Sequence, residues 1–351
     1  MALPAQSTRI TLATRPKPDI TPSTFKVEKQ AIKSLFPQKP NEILVRVDYV
    51  SIDPAMKGWL DDRRSYIAPV AIGATMRAGG VGTVVKVFEG PGATSKVKVG
   101  DAVRGYFGWT EYATVNEKDV EVLHAPSGTT ALDFLGVLGD PGMTAYFGFL
   151  DVAKPKAGET VVVSGAAGAV GSVVCQIAKI KGCKVIAIAG GPDKCAWLEN
   201  DLGVDKAIDY KSKTFVSDFK EHVGYLDVYF DNVGGDILDL CLTRLNKNAR
   251  IAICGAISAY TGGKPKGISA YLNLISQRAS IQGFVVFDYI KQYPEAVKDL
   301  GQWIREGKLK ARTHVEDGPV ERCPKALGKL FKGANTGKMV VRISNQELSR
   351  L

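Results

Sequence analysis

Residues 161–172 read Val-Val-Val-Ser-Gly-Ala-Ala-Gly-Ala-Val-Gly-Ser, an apolar strand that runs into a glycine-spaced turn and straight on into a helix. Gly165 lets the backbone turn tightly, Gly168 lets it approach an anion with no Cβ in the way, and Gly171 lets the new helix pack close to a sheet. The unpaired N–H groups of the first helical turn then face the anion, which is how a nucleotide pyrophosphate is held. The spacing is G-x-x-G-x-x-G, one residue away from G-x-G-x-x-G, so the flanking elements must support it. A helix predicted over 169–181 and the apolar run Lys184–Ala189 complete a strand–helix–strand unit over residues 160–189, the size this fingerprint requires.

The end of that second strand is the next constraint. A nucleotide with a free 2′-hydroxyl on its adenosine ribose usually meets an Asp or Glu there. Gly190-Gly191-Pro192-Asp193-Lys194 stands in that place instead. Two glycines leave room for a bulky substituent and Lys194 supplies a cation, so the site suits a 2′-phosphate and the implied cofactor is NADPH. Asp193 reads as the N-cap of a helix beginning at Lys194.

From Thr8 to about Ala125 short apolar runs alternate with Pro and Gly turns, among them Glu42–Tyr49, Gly82–Phe88 and Ala102–Tyr106, which predicts antiparallel β structure. The pattern then changes to strands alternating with helices. The expected strands are Thr160–Ser164, Lys184–Ala189, Lys206–Asp209, Leu226–Phe230, Arg250–Cys254 and Gln282–Phe287, which together predict a doubly wound parallel sheet. The final stretch returns to β-like runs, Lys310–Val315 and Lys338–Ile343, around a short helix at Lys325–Phe331. The fold class is therefore α/β, with a nucleotide domain at 131–307 placed between two parts of a β domain at 1–130 and 308–351.

With 46 Lys and Arg against 36 Asp and Glu the chain is basic, but the charge is dispersed with no polybasic block, which argues against nucleic acid as a partner. No apolar run is long enough to cross a bilayer, so no membrane association is expected. The six cysteines include no C-x-x-C pair and read as reduced thiols of a cytoplasmic protein. The closing Ser349-Arg350-Leu351 keeps the charge pattern of the peroxisomal address Ser-Lys-Leu, which leaves a peroxisomal alternative.

A zinc alcohol dehydrogenase holds its catalytic metal with two Cys and one His. Here the first cysteine is Cys175, inside the nucleotide domain, and the histidines are His124, His222 and His314, so no metal site is expected. Oxidising a simple alcohol calls for a Lewis acid, whereas reducing a conjugated C=C needs only a polarised carbonyl, which hydroxyl donors can supply.

Over essentially its whole length the chain resembles the zinc-independent medium-chain dehydrogenases/reductases, in particular the NADPH-dependent alkenal double-bond reductases and leukotriene/prostaglandin reductases. The resemblance lies in residues 166–172 and 181–185, in Asp231-Asn-Val-Gly-Gly235, in Arg250 to Ser258 with Tyr260, in Gly283-Phe-Val-Val286 and in Asn335-Thr-Gly-Lys338. Ile52-Asp-Pro54, residues 142–148 and Asp209-Tyr-Lys211 also match. It implies a Rossmann-type sheet inserted into a GroES-like β domain, and often a homodimer. It further implies that Gly168, Ala169, Val170 and Gly171 cradle the pyrophosphate and that Lys194 and Tyr210 hold the 2′-phosphate. Met143, Thr144 and Asn232 would stand beside the cofactor, Cys254, Ser258 and Tyr260 would line its nicotinamide half, Phe284, Val285 and Val286 would offer backbone groups, and Asn335 would reach in.

The activity expected on this basis is reduction of an α,β-unsaturated carbonyl compound. Hydride goes to the β-carbon, the enolate oxygen is held by Tyr260 and a ribose hydroxyl, and a proton completes the α-carbon. Tyr260 is the expected catalytic residue, because it follows a parallel strand by a short loop and a phenol can donate to a substrate oxygen. Ala55-Met56-Lys57 departs from the Tyr-Met-Arg common in the family, so substrate preference does not transfer. A quinone reductase and a non-catalytic NADPH-binding protein are the alternatives.

Overall fold

The computed structural model describes residues 3–17, 19–261, 266–344 and 346. Two compact units divide the chain: residues 1–135, 313–334 and 339–351 form one, residues 136–312 and 335–338 the other. The two long boundaries thus lie a few residues beyond the expected 130/131 and 307/308, and a short late turn joins the second unit.

The first unit opens with strands β1 (Gln6–Leu12) and β2 (Phe25–Ala31), an antiparallel ribbon in which Ile10 faces Val27. Strands β3 (Glu42–Ser51), β4 (Gly80–Val87), β5 (Ala102–Gly105), β6 (Tyr112–Asn116) and β7 (Val120–Val122) follow, paired antiparallel. Ile43, Val45, Val47, Trp109 and Met76 are buried in its core; Leu44 and Asp48 on β3 are buried as well, so this strand is covered on both faces.

The second unit carries β8 (Thr160–Val163), β9 (Lys184–Ala189), β10 (Lys206–Asp209), β11 (Leu226–Asp231), β12 (Leu245–Ile253) and β13 (Ser280–Gly283). All are parallel, in the order β10-β9-β8-β11-β12-β13. Val161–Val163 and Val185–Ala189 are buried, as strands covered on both faces must be, which explains their continuous apolar runs. The strand order reverses direction between β8 and β11, and ligands of such sheets bind beyond the carboxyl ends of the strands at that switch point. Strands β14 (Thr313–Asp317) and β15 (Lys338–Arg342) come last and extend the sheet that holds β3.

Two expectations need correcting. The sixth parallel strand ends at Gly283, not Phe287; the backbone from Val286 to Gln292 coils into a 3₁₀ helix. The Phe284 ring turns inward against Phe230, with centroids 6.2 Å apart, and a Cβ on Gly148 would lie 2.1 Å from it, so packing rather than pairing accounts for this apolar run. Asp193 is not a cap: the helix runs from Pro192 to Asn200 with Gly191 as N-cap, and Asp193 lies in its first turn, where a carboxylate still favours the positive helix end.

Candidate functional site

At the carboxyl end of β8, Gly165 adopts φ +58°, a left-handed turn that starts the glycine segment. The helix Gly171–Ile180 follows. A Cβ on Gly171 would sit 2.4 Å from the Gly165 carbonyl oxygen, so only glycine lets the helix begin this close to the strand. At Gly168 the nearest atom to such a Cβ is the same oxygen at 3.2 Å. Gly168 accepts the Ser172 N–H at 3.0 Å, and Ala169 and Val170 complete the turn into the helix. Apart from the Gly165 oxygen and the residues on either side, no atom stands within 4 Å of a Cβ at Gly168, so a group that must approach main chain directly, such as a pyrophosphate, has access there.

The switch point is locked by side chains. Asn232, just past β11, donates its Nδ2 to the Ser164 carbonyl at 2.7 Å, and its own N–H goes to Ser164 Oγ at 3.0 Å. Beside it the buried Asp231 accepts through Oδ1 from Ser164 Oγ, Tyr229 Oη, Val233 N and Gly234 N, at 2.7–2.9 Å. This carboxylate was not singled out from the sequence. Tyr229, Val233 and Gly234 lie within three residues of it, but Ser164 lies 67 residues away, and only the fold brings that hydroxyl to the carboxylate.

At the end of β9, Gly190 leaves space that Tyr210 and Lys211 fill: a Cβ there would meet Tyr210 Cε1 at 2.8 Å and Lys211 Cε at 3.0 Å. The room for a ligand substituent therefore lies at Gly191, where nothing stands within 4 Å. Asp209 Oδ1 accepts from Gly191 N at 2.8 Å and Lys211 N at 2.9 Å, which draws the two loops together. The Lys211 ammonium lies 5.9 Å from the Tyr210 ring centroid. Burial, and then the charge of Lys211, hold the half-buried Lys194 ammonium below its ordinary pKa. The three side chains Lys194, Tyr210 and Lys211 thus make one cationic, partly desolvated corner. The sequence points to the first two; Lys211 belongs to the Asp209-Tyr-Lys211 match, and the fold adds its charge to the corner.

Past β12, Cys254 and Gly255 donate their N–H groups to the Asp231 carbonyl at 2.8 and 3.1 Å. Burial, with a smaller effect of Asp231, pushes the Cys254 thiol up to about 12. Ser258 Oγ donates to the Val233 carbonyl at 2.6 Å, and Tyr260 follows the 3₁₀ turn Ile257–Ala259. The Tyr260 hydroxyl accepts the Ala256 N–H at 3.4 Å. Val233, Cys254, Ser258 and Tyr260 are therefore gathered on loops that follow β11 and β12.

Met143 is fully buried in the helix Asp140–Phe147, and Thr144 donates its hydroxyl to the Asp140 carbonyl at 2.7 Å. The carbonyls of Val285 and Val286 already accept, from Asp288 N at 3.2 Å and Tyr293 Oη at 3.3 Å; each keeps a second lone pair. Asn335 is buried and donates Nδ2 to the Gly337 carbonyl at 2.8 Å. Gly337 in turn donates its N–H to Ala167 at 2.8 Å, so Asn335 reaches the phosphate turn through the backbone of the turn that precedes β15. Among the described residues no group of three or more His, Cys, Asp or Glu is placed to hold a metal ion.

Residues 8–123 match the N-terminal domain of oxidoreductase, and residues 169–302 match the family described as zinc-binding dehydrogenase. The NADPH-dependent curcumin reductase of Escherichia coli is 36% identical over 348 residues, 97% of this chain and 97% of that protein. The chain belongs to the medium-chain dehydrogenases/reductases. Within that family it groups with the NADP-dependent reductases: the 2-alkenal reductase (NADP(+)-dependent) of Nicotiana tabacum is 36% identical over 336 residues, 92% of this chain and 94% of that one. Among solved structures, CurA of Vibrio vulnificus in complex with NADPH superposes with a TM-score of 0.88 at 37% identity, covering 97% of this chain and all of that one. The Rossmann and GroES-like fold class is that of these medium-chain reductases.

Proposed function

We propose that this oxidoreductase binds NADPH and reduces the carbon–carbon double bond of α,β-unsaturated aldehydes and ketones. The observation that carries the reading is the cationic corner of Lys194, Tyr210 and Lys211, at the strand end where a cofactor without the 2′-phosphate would meet a carboxylate. The substrate class is drawn from the relatives named for 2-alkenals and curcumin.

Bound NADPH supplies a hydride. The chain's own residues do the rest. The glycine turn and helix N-terminus hold the pyrophosphate, and Lys194, Tyr210 and Lys211 hold the 2′-phosphate. Met143, Thr144 and Asn232 border the nicotinamide half, with Cys254 and Ser258 on one loop, Phe284, Val285 and Val286 on another, and Asn335 on the turn before β15. Tyr260 donates its phenolic proton as a hydrogen bond to the substrate carbonyl oxygen, and that bond strengthens as negative charge builds there.

We further assign a homodimer. Strand β13 is the edge of the six-stranded sheet, and among the described residues it pairs on one side only. Tyr271, Leu272 and Ile275, in and beside the helix Leu272–Gln277 that precedes it, are 55–72% exposed, the combination that invites a second copy to pair. Six free cysteines suit a reducing compartment such as the cytoplasm. The expected targeting tripeptide, 349–351, lies outside the described residues.

The deciding experiment is NADPH consumption against a panel of enals, enones and a naphthoquinone, with products identified by mass. Saturated carbonyl products from the enals support the reading. Turnover of the quinone alone overturns it.

A further inference from the structure

We propose that Arg312 is a further phosphate-recognising residue of this site, set over Trp197 so that its guanidinium meets the same adenosine 2′-phosphate as Lys194 and Lys211. The inference rests on the NADPH reading and adds to it a residue that neither the glycine motif nor the strand ends mark.

The guanidinium carbon of Arg312 stands 5.0 Å from the centroid of the Trp197 ring. Trp197 lies three residues after Lys194 on the helix Pro192–Asn200, a spacing that puts both side chains on one helix face. The backbone of this arginine is held at its carbonyl. Lys338 N donates to the Arg312 carbonyl at 2.9 Å, and Gly337, with φ +76°, packs so close that a Cβ there would lie 2.1 Å from that oxygen. Gly337 N in turn donates to Ala167 in the phosphate turn at 2.8 Å.

Two residues earlier, Gln176 brackets Lys310, accepting its N–H at 2.7 Å and donating to its carbonyl at 3.1 Å. Lys310 Nζ donates to the Asp201 carbonyl at 2.8 Å, at the far end of the Trp197 helix. Residues 310–312 are therefore tied both to the helix that follows the glycine turn and to the helix that carries Lys194.

Arg312 itself is exposed, and among the described residues it forms no ion pair. A guanidinium held over an indole keeps its charge and its planar fork, and its rotamers are already restricted before an anion arrives. A phosphate accepts that fork with two parallel bonds. A surface arginine needed only for solubility would not call for a main chain anchored on three sides.

The test is titration of the full chain with NADPH and with NADH, for the wild type and for Arg312→Gln, Arg312→Lys and Trp197→Leu, with thermal unfolding of each apo protein alongside. Arg312→Gln is expected to weaken NADPH roughly tenfold, the loss of one charge-assisted pair, with NADH affinity and apo Tm unchanged. Arg312→Lys should recover part of that loss, and Trp197→Leu should reproduce part of it. Unaltered NADPH affinity in Arg312→Gln, or an equal loss for both nucleotides, overturns the assignment while leaving the NADPH reading intact. A wild type that does not prefer NADPH to NADH overturns both.

Discussion

Lys211 repels Lys194: after burial, its charge is the second cause holding the Lys194 ammonium below its usual pKa. The folded chain thus binds that proton less well than the unfolded chain. The resulting cost to stability is fully present at neutral pH, and it fades as pH climbs from the lowered folded value to the ordinary 10.5. Lys194→Met should therefore raise the apo Tm by on the order of 1 °C near pH 7, and the gain should vanish above the window. The same variant should lose most of the Tm increase that NADPH gives the wild type. Thermal scans at two pH values, with and without nucleotide, check both statements.

Tyr260→Phe removes one hydrogen-bond donor and leaves a ring of the same shape. If that donor serves the developing oxyanion, kcat should fall by about 100-fold while NADPH affinity stays within about twofold. Steady-state kinetics with an enal, beside a nucleotide titration, separate the two effects. An unchanged kcat removes Tyr260 from the chemistry.

Gly168 and Gly171 should fail in different ways. A Cβ at Gly171 collides with the Gly165 carbonyl at 2.4 Å, so Gly171→Ala should cost stability, by about 2 kcal/mol or more. A Cβ at Gly168 meets only the same oxygen at 3.2 Å. Gly168→Ala should therefore fold with nearly the wild-type Tm but bind NADPH at least about tenfold more weakly, because the methyl occupies the anion's approach. Chemical denaturation and nucleotide titration of the two variants give the comparison.

The thiols should resist electrophiles, the proposed unsaturated carbonyl substrates among them. Desolvation raises all six: Cys195 up to about 11, Cys254 up to about 12, and Cys175, Cys183, Cys241 and Cys323 also upward. Since the thiolate is the nucleophile, native protein treated with N-ethylmaleimide at pH 7 should take up no more than one equivalent in an hour, with Cys195 the expected site. Denatured protein should take up six, and intact mass measures both.

Much of this was legible in the sequence because the informative patterns are local. The buried parallel strands announce themselves as apolar runs, and Lys184–Ala189 and Lys206–Asp209 begin and end where expected. The glycine turn is legible for the same reason, since its requirements are met within a dozen residues. What escaped depends on partners far along the chain. Phe284–Phe287 has the composition of a strand, but Phe284 is drawn into the space over Gly148. Asp231 looks like an ordinary strand end until the hydroxyl of Ser164, 67 residues earlier, meets it. Gly190 reads as free space, whereas Tyr210 and Lys211, from the next strand end, already occupy it.

The hydrogen bond from Gly337 to Ala167 means that the nucleotide unit borrows four residues, 335–338, from the far side of a long intervening stretch of sequence. During synthesis the glycine turn leaves the ribosome 170 residues ahead of the Gly337 that clasps Ala167. A C-terminal deletion that spares every helix and strand of the parallel sheet, yet stops before Asn335, would leave that turn open and strip the unit of its final staple.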